Sequence, residues 1–254
     1  MWVDTHCHPY FKPFNEDREA ALQRALDVGV SKMLVVGCDQ ETNRKTLELA
    51  KQHDFMWSAL GVHPTDCNDL TDEELVWMRE STKEPQNKVV ALGEMGLDYH
   101  HMKSTKEVQA EAFRKQIRLA KELDLYSVVH SRNAAEDTLK ILLEEEARKV
   151  IFHCYSYDYE FGKKVWNQGF LTSFSGVVTY PTAKEVQEAA QHGPLDQFLL
   201  ETDAPFLPPQ SMRGKRNEMD MIPEICAKIA ELRGIEIEEV ARVTTLGAGQ
   251  ILLP

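Results

Sequence analysis

A chain of 254 residues is long enough for one large barrel domain or two small ones, and its 43% apolar share supports a substantial core. The net charge of −12 argues against a generic basic nucleic-acid-binding surface, and no apolar run is long enough to cross a bilayer. The start carries no signal-peptide pattern, and five scattered cysteines without a CxxC pair argue against a disulfide framework or zinc knuckle, so a reducing cytoplasm is expected.

Apolar runs predict strands beginning near Trp2, Lys32, Met56, Lys88, Tyr126, Lys149, Phe170 and Gln197. Amphipathic stretches between them predict helices, among them 17–28, 41–53, 107–123 and 134–146. Residues 221–253 read as two closing helices. Eight strand–helix units with short connections predict an α/β fold, a (βα)8 TIM barrel forming a single domain over residues 1–254.

Six potential metal ligands end these strands one at a time. They are His6 and His8, then Glu94, His130, His153 and Asp203. Groups so far apart in sequence meet only if parallel strands converge, and a barrel places its active site at their carboxyl ends. Alternation along a strand puts Asp4, His6 and His8 on one face. The same holds for Val90, Leu92 and Glu94, for Val128, His130 and Arg132, and for Leu199, Glu201 and Asp203.

Imidazole and carboxylate donors suit zinc, manganese, iron or nickel, and a carboxylate-rich half suits magnesium. Two divalent ions (Mg2+, Mn2+ or Zn2+) are expected. His6 and His8 would hold the first, His130 and His153 the second, with Glu94 placed to bridge. Asp203 would ligate the first ion and act as general base on a water. Asp203 and Glu94 are thus the expected catalytic carboxylates.

Six motifs occur here in one order. They are Asp4-Thr5-His6-Cys7-His8, Gly61-Val62-His63-Pro64, Gly93-Glu94-Met95-Gly96-Leu97-Asp98-Tyr99, His130-Ser131-Arg132, Phe152-His153-Cys154 and Glu201-Thr202-Asp203-Ala204-Pro205. The chain thereby resembles the TatD family of metal-dependent deoxyribonucleases, within the amidohydrolase-like barrels, from Met1 to about Gly249. The resemblance implies a (βα)8 barrel and one or two divalent ions. It also implies phosphodiester hydrolysis of DNA, often as a 3′-to-5′ exonuclease, with single-stranded ends as the expected partner. Its ligand roles fall on His6, His8, Glu94, His130, His153 and Asp203.

Two positions depart from the family pattern. Gly247 stands where the family has Asn, and altered helix or loop packing is expected there. Asn133 stands where many relatives have an acid.

His63 could bind substrate, orient a ligand or be a satisfied buried histidine. Arg132 could meet a phosphate or pair with a carboxylate. Arg213, Lys215 and Arg216 lie in a Pro-rich segment whose Arg-Gly-Lys-x-Asn pattern the family carries near its active site, so phosphate contact is expected. Phe206 and Tyr155 are candidates for base stacking. Glu201 is expected to pair with a basic or hydroxyl neighbour, and His53, His100, His101 and His192 to be surface or helix-end residues. A monomer suffices for all of this. Two rivals remain: an amidohydrolase acting on a C–N or ester bond, and a non-catalytic metal-binding barrel.

Overall fold

The computed structural model describes residues 1–252. The strands are β1 (Trp2–Cys7), β2 (Val30–Val36), β3 (Met56–Leu60), β4 (Val89–Asp98), β5 (Tyr126–Arg132), β6 (Val150–Phe152), β7 (Leu171–Phe174) and β8 (Phe198–Leu200). They follow one another in chain order in an eight-stranded sheet. Each start lies within two residues of the sequence expectation. The helices are α1 (Arg18–Asp27), α2 (Gln40–Gln52), α3 (Asp72–Thr82), α4 (Lys106–Glu122), α5 (Ala135–Glu144), α6 (Tyr159–Trp166), α7 (Lys184–His192), α8 (Ile222–Arg233) and α9 (Ile237–Leu252). The last expected helical residue, Leu253, lies outside the described residues. Among those described, no helix is long and apolar enough to cross a membrane.

The chain divides into two compact units, Met1–Leu34 with Cys154–Pro254, and Val35–His153. In the first, β7 and β8 pair in parallel, and Cys7 bridges to Ala204. Phe174, Phe198, Leu199, Ile225 and Ile229 are buried in its core. Helix α9 runs unbroken through Gly247. A Cβ there would sit 3.5 Å from Leu199 Cδ2 and 3.6 Å from Phe198 O, so a side chain at this position would meet the buried end of β8.

In the second unit, β3, β4, β5 and β6 form successive parallel pairs. Buried apolar residues fill its strands, as alternation between covered faces requires. Helix α2 starts on a capping box between Asp39 and Thr42, and α4 on the Thr105 hydroxyl. Three buried amides then tie helices to strand ends. Asn43 exchanges two bonds with the Gly61 backbone, Gln116 two with Val62, and Gln109 two with Asp98. Each such bond contributes about 1 kcal/mol net, and leaving either partner unmet would cost more. These clamps fix the ends of β3 and β4, where His63 and Asp98 sit.

Candidate metal centre

In the first unit, the end of β1 and the residue just after it bring His6 and His8 together. Their Nε2 atoms lie 3.0 Å apart, and Asp203 Oδ1 lies 3.8 Å from the first and 3.4 Å from the second. All three residues are buried, and their donor atoms fall within 4.8 Å of one another. Two imidazole nitrogens and a carboxylate oxygen converging out of water form a donor set that fits a divalent cation. His8 Nδ1 lies 2.8 Å from the Tyr10 hydroxyl, which fixes the ring from its other side.

Asp203 follows β8 at φ 58°, a left-handed conformation that a short polar side chain tolerates. Its N–H donates to His6 O at 2.9 Å. Asp4 locks the same segment, accepting from Thr202 N–H (3.0 Å), Thr202 Oγ1 (2.6 Å) and His6 N–H (3.2 Å). Complete burial pushes the Asp4 carboxyl up to about 7, against those bonds. Glu201 accepts from Cys154 N–H at 2.7 Å and from the Ser173 hydroxyl, a hydroxyl neighbour as expected. Cys7 Sγ points to Leu34 O, and Cys154 Sγ lies 3.1 Å from Ser175 Oγ.

In the second unit, three imidazoles surround one oxygen of Glu94. His153 Nε2 is 2.8 Å from Oε1, His130 Nδ1 is 2.9 Å and His63 Nε2 is 3.5 Å. Burial pushes the Glu94 carboxyl up, but His153, His63 and His130 outweigh it and hold the group well below the usual carboxylate range. Burial pushes the His130 imidazole down, yet Asp98 and Glu94 turn the net shift upward. His63 goes the other way, to about 3, through burial and the neighbouring His130. A divalent cation competing for Glu94 would displace the His130 proton, as metal binding at histidine generally does.

Two glycines permit this crowding. A Cβ on Gly61 would sit 2.4 Å from the Gly93 carbonyl carbon, and one on Gly96 would sit 2.0 Å from His130 O. Only bare backbone lets β3 and β5 approach β4 closely enough to gather the rings around Glu94.

Asp98 escaped the sequence reading as a site residue. It is buried at the end of β4 and takes the N–H groups of His100 (2.8 Å) and His101 (2.7 Å) on Oδ1. Oδ2 lies 3.2 Å from His130 Nε2 and 3.1 Å from His101 Nδ1. His63, Asp98 and His130 form a further group able to hold a cation. Its motif neighbour Glu94 pointed to Asp98, but the run of β4 past the apolar stretch did not show in the sequence.

The candidate substrate contacts are placed unevenly. Arg132 is exposed at the end of β5, and Arg213 and Lys215 are exposed in the segment after Pro205. The Arg216 guanidinium is engaged within the fold by Pro13 O, Asp17 and Glu218. Asn217, missed in the sequence, is buried and donates to Thr202 O (2.7 Å) and Phe206 O (2.6 Å). Phe206 is exposed beside His8, at 6.2 Å between ring centroids. Tyr155 corrects the stacking expectation: it is buried, and its hydroxyl donates to Asp158 O, because the chain turns inward there to pack against Trp166 and Phe174.

A family model described as TatD related DNase matches residues 3–252. A metal-dependent hydrolase of Bacillus subtilis, YabD, is 42% identical over 99% of this chain and 98% of its own length. The 3′-5′ ssDNA/RNA exonuclease TatD of Erwinia tasmaniensis is 35% identical over 94% of each chain. The crystal structure of YjjV, a TatD homologue of Escherichia coli, superposes with a TM-score of 0.91 at 30% identity, covering 98% of this chain and 97% of that one. The fold class is therefore the (βα)8 barrel that the strand and helix alternation predicts.

Proposed function

Because the chain belongs to the TatD-related DNase family, we propose that this metal-dependent hydrolase cuts phosphodiester bonds of nucleic acid, removing nucleotides from 3′ ends of single strands. One divalent cation would be held by His6, His8 and Asp203, and a second by Glu94, His130 and His153. When bound, such ions lower the pKa of a water and neutralise charge on phosphoryl oxygens.

The chain's own side chains supply the rest. Asp203 orients the attacking water and takes its proton as general base. Its fixed backbone, tied to His6 O, keeps that carboxylate in one place. The new P–O bond forms as the bond to the leaving 3′-oxygen breaks, and that oxygen takes up a proton. Arg132, Arg213 and Lys215 are exposed guanidinium and ammonium groups suited to phosphate oxygens. Arg216, with Asp17 and Glu218, anchors the segment that carries two of them.

The observation that carries the reading is the convergence of His6, His8 and Asp203 in a chain 35% identical to a 3′-5′ exonuclease. The test is an assay on 3′- and 5′-labelled single- and double-stranded DNA and RNA, with chelator and with each metal restored. Chelator-sensitive release of nucleotides from 3′ ends is the expected result. Hydrolysis of simple amides or lactones with intact oligonucleotides would replace this reading with the amidohydrolase one.

A further inference from the structure

We propose that Phe206, braced by Phe11, is a stacking platform for the nucleobase adjoining the scissile phosphate. The inference rests on the phosphodiesterase reading above and deepens it.

Phe206 is 49% exposed, whereas Phe14, Phe174 and Phe198 in the same unit are fully buried. It therefore does little for the core. Its ring makes T-shaped contacts with Phe11 at 5.6 Å and with His8 at 6.2 Å, and Phe11 lies 5.3 Å from His8. Its N–H donates to Asp203 O at 2.9 Å. An open aromatic ring thus adjoins both a ligand of the first cation group and the expected proton acceptor. In a nucleotide the base lies one sugar away from the phosphate. A phosphate attacked at Asp203 therefore carries its base into the reach of this ring.

The backbone under the ring is held firmly. Asn217 donates to Phe206 O and Thr202 O, and Tyr180 donates to Pro208 O at 2.8 Å. Gln210 N–H donates to Thr179 Oγ1 at 2.7 Å. Leu207 O presses so close to Gly176 that a Cβ there would lie 2.4 Å away. A fixed aromatic loses little freedom on binding, so most of its contact appears as affinity. Arg213, stacked on the Tyr180 ring at 4.5 Å, sets a cation on the same segment. Phe11 and Phe206 offer no hydrogen-bonding group, so the platform reads the π-face that every base shares and accepts any of the four.

The test pairs a change in enzyme with a change in substrate. DNA oligonucleotides ending in a normal 3′ nucleotide or in a stable abasic analogue are compared by kcat/KM. Wild type is expected to favour the base-bearing end about tenfold, the size of one stacking contact. Phe206→Ala should bring that ratio close to one, and Phe206→Tyr should preserve it. Thermal unfolding of each variant checks that the fold is intact. A ratio near one in the wild type, or an unchanged ratio in Phe206→Ala, overturns the platform while leaving the phosphodiesterase standing. If no metal supports cleavage of either oligonucleotide, the phosphodiesterase reading itself fails and the platform goes with it.

Discussion

Asp98 Oδ2 faces His130 Nε2 at 3.2 Å while the opposite ring nitrogen, Nδ1, faces Glu94 at 2.9 Å. A cation that displaces the Nδ1 proton would leave the other proton on Nε2, donated to Asp98, and the Nδ1 lone pair free for the metal. That fixes which nitrogen can bind a cation. In Asp98→Asn the amide oxygen can still serve the His100 and His101 N–H groups. The amide NH2 then faces His130, makes Nε2 an acceptor and moves the ring proton to Nδ1. Affinity for the second cation should fall about 10- to 100-fold, with activity recovered in part at high metal concentration. Metal titration by calorimetry reads this directly, and wild-type affinity would remove Asp98 from the site.

Asp203→Asn tests the proton acceptor. The amide has nearly the same shape but cannot take a proton at neutral pH. Turnover should fall by about 10²- to 10⁴-fold, the usual contribution of a positioned general base. The Asp203 N–H bond to His6 O survives the exchange, so the melting temperature should shift little. Wild-type turnover in a variant that retains metal would end the general-base assignment.

Acid stability should depend on the Asp17 cluster. Arg216 and Arg24 donate to the Asp17 carboxylate and hold it well below the usual carboxylate range. A lowered pKa means the stabilisation is full above the unfolded value near 3.8 and is lost as pH falls toward the folded value. The difference in melting temperature between wild type and Asp17→Asn should thus be constant around pH 7. It should shrink as pH drops below about 4. Because the groups are partly exposed, added salt should narrow the difference. A gap that grows on acidification would contradict this linkage.

The strand ends were legible because each of the six proposed ligands closes an apolar run, which needs no reference to any partner. Helices α2 and α4 were equally plain from their amphipathic spacing. Roles that depend on a distant partner were not legible. Gln109, Gln116 and Asn43 look like ordinary polar helix residues, and only the folded chain shows that they close on Asp98, Val62 and Gly61. Arg216 reads the same as Arg213 in the sequence, yet Asp17, nearly 200 positions earlier, takes up its guanidinium. Tyr155 follows the proposed ligand His153 by two residues, but the positive φ at Cys154 redirects the chain and sends the ring inward.

Gly96→Ala should damage the fold and the site together. Gly96 has φ +141°, and the new methyl would collide with His130 O at 2.0 Å, a backbone atom with no rotamer to escape into. Strain of this kind costs about 1–3 kcal/mol before the clash is counted, so the melting temperature should drop by several degrees. Relief requires β5 to move away from β4, which carries His130 off Glu94 and lowers affinity for the second cation. Gly249→Ala is the matched control. Nothing lies within 4 Å of its added methyl, and it sits inside helix α9, where Ala is favoured over Gly by about 0.5–1 kcal/mol. Stability there should hold or rise with activity unchanged. If Gly96→Ala behaved like Gly249→Ala in both melting and metal titration, close approach of β4 and β5 would not be what positions His130.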